Sequence, residues 1–231
     1  QRFLRTLESA AKTHAAFLDG NGARLRIRLR CLDPAPFLAS VFDLGRAALL
    51  FSGTLQPLSY FRDVLGCGAD SELLRLPGAF PPENLSVLVA GHVATNWRER
   101  DRSVDEVANL IASLVAPRPG NYFVFFPSHR YLAAVYARFI DRHPDIPSLA
   151  HQPSMSAEER ALCLERLRAN ASSPRPARLA AFAVLGGVFS EAVDLKGEQL
   201  IGAAVVGVGL PQVCAEREMI RSRYEEETGA G

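Results

Sequence analysis

The sequence contains almost no lysine. Lys12 and Lys196 are the only two among its 231 residues, and arginine supplies the rest of the 26 basic side chains. Acidic side chains number 25, so the formal net charge is +1. This total neither indicates nor excludes nucleic-acid binding, because the distribution of charge matters more than its sum. Two explanations of the arginine bias stay open: arginine suits bidentate contacts with phosphate, and a GC-rich coding sequence produces the same preference.

Long apolar runs are also absent. No stretch of 18 or more apolar residues occurs, and the amino terminus does not have the pattern of a secretory signal. The composition, with 48% hydrophobic and 22% charged residues, is that of an ordinary globular protein. We therefore expect a cytoplasmic protein with no membrane partner.

Cysteine is sparse and widely spaced. Cys31, Cys67, Cys163 and Cys214 form no CxxC pair and have no histidines at zinc-site spacing. This argues against a bound metal and against a disulfide framework, and it favours a reducing compartment. A chain of this length buries enough surface to fold without such cross-links. It suits one large domain, or one domain and part of another.

In the first part of the chain, the apolar spacing predicts a helix over residues 1–19. Residues 24–31 then alternate strictly between arginine and apolar residues, which predicts a half-buried strand. Its four arginines could bind phosphates. Alternatively, they could form the solvent-exposed face of an edge strand, where their charge prevents aggregation. A further buried strand is predicted over residues 47–52, and a Gly- and Pro-rich linker over 67–86.

From residue 87 onward, strands and helices alternate. Ser103 and Ser156 each have a glutamate three residues later, the spacing of a capping box that opens a helix. Strands are predicted over 87–93, 122–126, 148–151, 179–185 and 200–208, and helices over 103–115, from 128, over 156–169 and over 215–227. This order predicts an α/β protein of RecA-like class, a parallel sheet with helices on both faces in three α/β/α layers.

The most informative stretch is residues 182–211, FAVLGGVFSEAVDLKGEQLIGAAVVGVGLP. Two apolar runs without alternation predict two buried parallel strands. A glycine-rich loop between them holds Ser190, Glu191 and Asp194. The loop after a strand of an open α/β sheet lies at the edge where ligands bind. A dinucleotide-binding interpretation of Gly202, Gly207 and Gly209 is disfavoured, because these glycines end a strand and do not open a helix.

This loop resembles helicase motif V of the DinG/XPD family of ATP-dependent DNA helicases, roughly GG-x-FSEGID-x-x-G. The matching residues are Gly186, Gly187, Phe189, Ser190, Glu191, Asp194 and Gly197. Ala192 stands where the family usually has glycine. Residues 51–57, FSGTLQP, resemble the SGTLxP signature of motif III, and residues 122–130, YFVFFPSHR, resemble motif IV. The three signatures follow the family's order over about 160 residues.

The resemblance implies two RecA-like motor domains with ATP in the cleft between them. Residues 1–78 would be the remnant of the first domain with its linker, and residues 79–231 the second domain, truncated before motif VI. The chain has no GxxxxGK[ST] loop, no DEAH-like magnesium-binding sequence and no QxxGRxxR helix. Without these charge stabilisers, no catalytic residue of phosphoryl transfer is present. We therefore expect an inactive fragment, either an expressed piece or a truncated gene product. The last strands of the first domain would then lack their sheet neighbours, so we expect exposed apolar surface around residues 49–55.

By the same resemblance, two groups of site residues are expected. The first lines the nucleotide cleft and couples it to DNA: Ser52, Gly53, Thr54, Glu191 and Asp194. The second contacts DNA: Ser128, His129, Arg130, Gly187 and Ser190. A purely structural role, without contact to nucleotide or DNA, stays open for some of these residues. Ordinary helix capping accounts for Ser128, and capping of a short helix after Gly187 accounts for the polar residues of the 190–194 loop.

The partners that the resemblance implies are single-stranded DNA, ATP and the missing first motor domain. In the full-length protein the cofactors would be ATP and Mg²⁺, with no metal held by this fragment. Any iron–sulfur cluster of the kind that many relatives carry would lie in the missing part, because these four cysteines do not resemble its ligand set. The alternative is a non-catalytic RecA-like module that binds single-stranded DNA or a protein partner without ATP.

Overall fold

The computed structural model describes residues 13–20, 24–78, 80–189, 193–210 and 213–229, without the side chains of residues 227 and 228. The chain divides into two compact units. The first combines residues 1–85 with residues 212–231, and the second is Ser86–Pro211.

The first unit begins with a two-stranded antiparallel ribbon, β1 (His14–Asp19) and β2 (Arg26–Cys31). Helices α1 (Ala35–Phe42) and α2 (Leu58–Val64) and a 3₁₀ turn at Pro82–Asn84 follow, and the chain's last helix, here α6 (Ala215–Thr228), also belongs to this unit.

The ribbon corrects the prediction of a helix over residues 1–19. His14–Asp19 is a strand whose six residues pair in register with β2, and residues 1–12 lie outside the described residues. Cross-strand pairing overrides the local helical periodicity, since propensity is a weak guide when a neighbouring strand offers hydrogen bonds. The strand predicted over residues 24–31 is confirmed over Arg26–Cys31.

Carboxylates of the same unit neutralise part of the arginine face of β2. Arg28 contacts Asp19 at 2.5 Å and Glu216 of α6 at 2.7 Å, and Arg30 contacts Glu216 at 3.3 Å. At least two of the four arginines therefore have partners within the unit. This favours a structural role for the arginine face over the binding of phosphates.

The strands predicted over 47–52 and 87–93 are wrong. Both segments lack regular structure and expose most of their apolar side chains, with Phe51 86% and Val89 87% exposed. A strand needs a neighbour for its backbone hydrogen bonds, and no described residues pair with either segment. The exposed apolar surface expected around residues 49–55 is present at Leu49 and Phe51.

The second unit alternates helices and strands. Its elements are α3 (Arg100–Val115), β3 (Gly120–Phe126), α4 (His129–Arg142), β4 (Ser148–Ala150), α5 (Ala157–Ala171), β5 (Arg178–Val184), a 3₁₀ turn (Gly197–Gln199) and β6 (Gly202–Val205). The strands form a parallel sheet in the order β4-β5-β3-β6.

Successive side chains of β3 enter two different cores. Tyr122, Val124 and Phe126 pack under α3 and α4, whereas Phe123 and Phe125 pack on the side of α5. The alternation follows from the two-residue repeat of a strand. The sheet thus has helices on both faces, and the three-layer α/β/α arrangement predicted from the sequence is confirmed.

Strand β6 is shorter and less buried than predicted. It covers four residues, not 200–208, and alternates between half-buried and exposed positions, with Val205 61% exposed. β6 pairs only with β3 among the described strands, so it forms an edge of this sheet. An apolar run without alternation therefore did not indicate burial on both sides here.

A fully buried asparagine holds the amino end of β3. Asn121 donates through Nδ2 to the carbonyl oxygens of Leu167 (2.7 Å) and Gln199 (2.8 Å), and its Oδ1 accepts from Asn170 at 2.8 Å. Asn170 in turn bonds both backbone polar groups of Ala177, at 2.8 and 2.9 Å. The network joins α5 to the segments that lead into β5 and β6.

We predict that Asn121→Ala lowers the free energy of unfolding by about 2–3 kcal/mol, because it leaves buried acceptors unpaired and opens a small cavity. Urea denaturation followed by circular dichroism measures the change. Asn109→Ala, on the exposed side of α3, is the matched control and should change stability by less than about 0.5 kcal/mol. Equal effects of the two variants would contradict the role given to Asn121.

The capping box predicted at Ser156 is confirmed. Glu159 N donates to Ser156 Oγ (3.2 Å), and Ser156 N donates to Glu159 Oε2 (2.7 Å). The box predicted at Ser103 is wrong, because α3 starts three residues earlier and Ser103 is buried within it. Its Oγ lies 3.1 Å from the Tyr131 hydroxyl.

Ser156→Ala should therefore destabilise the second unit by about 1 kcal/mol, the usual cost of removing an N-cap. The thermal midpoint is the readout. Ser154→Ala removes an exposed serine two residues before the N-cap and should leave the midpoint unchanged; a comparable drop there would show that the cap is not the cause.

Candidate nucleic-acid interface

The candidate site lies at the carboxyl edge of the second unit's sheet. Because β3, β4, β5 and β6 are parallel, the segments that follow them gather at one edge. Helices α3 and α4 also begin there, since both run antiparallel to the strands that they flank. Arg130 near the start of α4 contacts Asp101 in the first turn of α3, at 3.9 Å.

Ser128 connects β3 to α4. Its backbone is extended, and its Oγ accepts a hydrogen bond from Tyr131 N at 3.3 Å, so it is the N-cap of the helix. The first amides of a helix that lack intrahelical partners, together with the helix dipole, favour an anion at this position. The capping interpretation of Ser128 is confirmed, and its predicted contact with DNA phosphate remains a prediction.

His129 packs with a tilted ring against a second histidine that was not among the predicted site residues. The ring centroids of His129 and His151 lie 4.9 Å apart, and His151 also meets Phe189 edge to face at 5.2 Å. The Nδ1 atoms of both histidines are buried and have no hydrogen-bond partner among the described residues. Burial, and next the neighbouring His129 and Arg160, lower the pKa of His151 below its ordinary value of 6.5.

The glycine pair after β5 lets the chain turn closely over this histidine. Gly186 has a φ of 68°, a left-handed conformation that favours glycine. A Cβ placed on Gly187 would lie 2.9 Å from the carbonyl oxygen of Val184 and 3.6 Å from the His151 ring. Gly187 is therefore required for close backbone approach, whatever else it contacts.

The remaining residues of the loop are only partly described. Ser190 and Glu191 lie outside the described residues, so their predicted roles keep the status of predictions. Asp194 is exposed and forms an ion pair with Lys196 at 3.3 Å. Its predicted contact with nucleotide is likewise still a prediction.

Ser52, Gly53 and Thr54 belong to the first unit. The two hydroxyls lie 3.0 Å apart, and Thr54 N donates to Ser52 Oγ at 3.1 Å, so they form a local turn. All three residues are exposed and none is in a strand. The expectation that Ser52 and Thr54 end a buried strand is therefore wrong, because that segment has no pairing partner among the described residues.

One cluster at the carboxyl edge was not predicted. The chain's single tryptophan, Trp97, has two guanidinium groups near its ring, with Arg100 Cζ 5.7 Å and Arg130 Cζ 5.8 Å from the ring centroid. The sequence signal was the run Asn96–Arg100, in which a lone tryptophan is followed by two arginines within three residues.

Within the described part of the chain, no group of three or more His, Cys, Asp or Glu side chains could hold a metal ion. None of its helices combines the length and the apolar character needed to cross a membrane.

Comparison with known proteins gives a family match over residues 111–231, where the chain fits the model of a helicase C-terminal domain. Among curated relatives, the human ATP-dependent DNA helicase DDX11 is 29% identical over 237 residues, covering 91% of this chain and 24% of that protein. The ATP-dependent DNA helicase CHL1 of Debaryomyces hansenii is 22% identical over 242 residues, covering 98% of this chain and 29% of the relative. The chain thus spans under a third of their lengths.

A solved structure titled XPD helicase shares the fold. It superposes with a TM-score of 0.59 at 18% identity, covering 96% of this chain and 38% of that one. The α/β fold is therefore RecA-like, as predicted. Since the family model covers more than half of the chain, and its match includes the segments after β3 and β5, this protein belongs to the helicase C-terminal domain family.

Proposed function

We propose that this chain is the part of an ATP-dependent DNA helicase that contacts single-stranded DNA at the carboxyl edge of its second unit. The observation that carries the proposal is the Ser128-capped start of α4, with Arg130 in the helix's first turn, next to the loop after β5 in a helicase-family domain. The similarity to helicases named as ATP-dependent and DNA-directed supports the same assignment.

The proposed contact relies on fixed dipoles and on arginine. His151 is half-buried with a pKa below its ordinary value, so it contributes little positive charge to the edge at pH 7. The free amides at the start of α4 and the Arg130 guanidinium would therefore attract a phosphate. The loop after β5, which contains Gly187 and Ser190, would contact the same DNA strand, and so would His129.

ATP hydrolysis is proposed only for a longer protein that also contains a P-loop, a DEAH-like sequence and a QxxGRxxR helix. In it, residues 1–78 would be the end of the first motor domain and residues 79–231 the second. Ser52, Gly53, Thr54, Glu191 and Asp194 would couple the nucleotide cleft to DNA. In that longer protein Mg²⁺ would be held by a DEAH-like sequence, which this chain does not contain.

A pair of substitutions at Ser128 separates helix capping from phosphate contact. Asn and Asp both cap helices about as well as Ser, but only Asp places a negative charge where the phosphate would lie. We predict that Ser128→Asp weakens binding of an oligothymidine about ten-fold relative to Ser128→Asn, with similar thermal midpoints for the two variants. Fluorescence anisotropy of a labelled oligothymidine at low and high salt measures the two affinities. The difference between them should become smaller at high salt, because salt screens the charges. Equal affinities would remove the phosphate contact from the proposal.

The motor assignment is tested by ATP hydrolysis. This chain alone should release no phosphate, whereas the chain joined to a first motor domain with a P-loop should hydrolyse ATP faster when single-stranded DNA is added. Asp194→Asn should lower that stimulated rate about ten-fold or more if Asp194 couples the cleft to DNA. Asp145→Asn, on an exposed turn after α4, is the control. If the joined protein is inactive but this chain still binds the strand, a non-catalytic binding module is the correct assignment.

The lowered pKa of His151 predicts a pH dependence of stability. Its folded pKa lies below its unfolded value, so between the two the unfolded chain binds more protons. The free energy of unfolding should therefore be constant above about pH 7.5 and fall as the pH drops through about 6.5. Denaturation at several pH values measures the slope. His151→Gln should flatten it, and a slope unchanged in that variant would assign the effect to another group.

A further inference from the structure

We propose that Trp97 is a stacking platform for an unpaired base of the DNA strand held at this edge. The inference rests on the proposed function and adds a ligand contact that the helicase motifs of the sequence do not include. The platform consists of Trp97, Arg100 and Arg130, all within the second unit.

A rigid turn holds the tryptophan in position. The amides of Glu99 and Arg100 both donate to Asn96 O at 3.1 Å, and Arg98 N donates to Asn96 Oδ1 at 3.1 Å. The indole therefore projects from a fixed corner just before α3. It is 71% exposed, although tryptophan is a side chain that usually buries most of its surface.

The two arginines are positioned independently of any ligand. Arg100 donates through Nε to Thr95 O at 2.9 Å, and its Cζ lies 5.3 Å from the ring centroid of the buried Tyr131 as well as near Trp97. Arg130 lies on the first turn of α4, two residues after the Ser128 cap. The indole is thus within cation–π distance of both guanidinium groups.

The charge around the indole is positive. Arg98, Arg100, Arg102 and Arg130 outnumber the two carboxylates of the same cluster, Glu99 and Asp101. An open recess beside the ring is lined by Asn96, Arg98, Glu99 and Arg102. An exposed aromatic face within a cationic groove is the arrangement that binds single-stranded nucleic acid, in which the base stacks and arginine attracts the phosphate.

A single strand fits this arrangement better than a duplex does. Bases of a duplex are already stacked and present no free face, whereas every unpaired base does. A strand whose phosphate lies at the start of α4 would place a neighbouring base close to Trp97, since Arg130 contacts both places. Stacking of this kind tolerates any base, so the contact would add affinity without sequence preference.

The single tryptophan provides a direct probe. With excitation selective for tryptophan, titration of this chain with oligothymidine should quench the fluorescence of Trp97, while an abasic strand of the same length should not. Separately, anisotropy of a labelled oligothymidine should show about ten-fold weaker binding by Trp97→Ala. Trp97→Phe should recover most of the loss. Phe80→Ala removes another highly exposed aromatic residue and should bind like the unaltered chain.

The outcomes separate the platform from the proposed function. The platform is wrong if oligothymidine binds without changing the tryptophan fluorescence and binds Trp97→Ala as tightly as the unaltered chain. That result would leave the proposed DNA binding intact. Equal quenching by the abasic strand overturns base stacking, since phosphate alone then causes the signal. If no strand binds even at high protein concentration and low salt, both the platform and the DNA contact are wrong.

Discussion

The second unit depends on the burial of β3 between two parallel neighbours. Its backbone pairs with β5 along seven residues and with β6 along four. Its side chains enter both cores, and Val124 and Phe126 are completely buried. A strand that is covered on both faces and both edges cannot shift by one residue without moving every side chain into the wrong core. The positions of both its ends, and of all residues attached to them, follow from this constraint.

The two ends of β3 use that fixed position differently. At the amino end, the side-chain polar atoms of the buried Asn121 are all hydrogen-bonded within the protein. That end of β3 therefore has a structural role. At the carboxyl end, polar groups remain available: the first amides of α4, the Arg130 guanidinium and the exposed indole of Trp97. One strand thus joins a closed polar network to an open, ligand-accessible edge.

The electrostatics of the open edge come from elements that need not titrate near neutral pH. Helix amides carry fixed partial charges, arginine stays protonated, and the lowered pKa of the half-buried His151 disfavours its charged form. Under the proposed function, such an interface would keep its attraction for phosphate over the physiological pH range. The strength of binding would depend instead on salt, since mobile ions compete for the same phosphates.

The sequence alone determined the strand and helix order of residues 120–171, the Ser156 capping box and the loop after β5. These features depend on local periodicity, on a short hydrogen-bonded motif and on a residue order within one loop. The sequence mispredicted His14–Asp19 and residues 47–52 and 87–93, because a strand exists only where a partner offers its backbone groups. The tertiary structure decided which side chains meet. The contacts of His151 with Phe189 and of Trp97 with Arg130 join residues more than 30 positions apart, and no local pattern specifies such a distance.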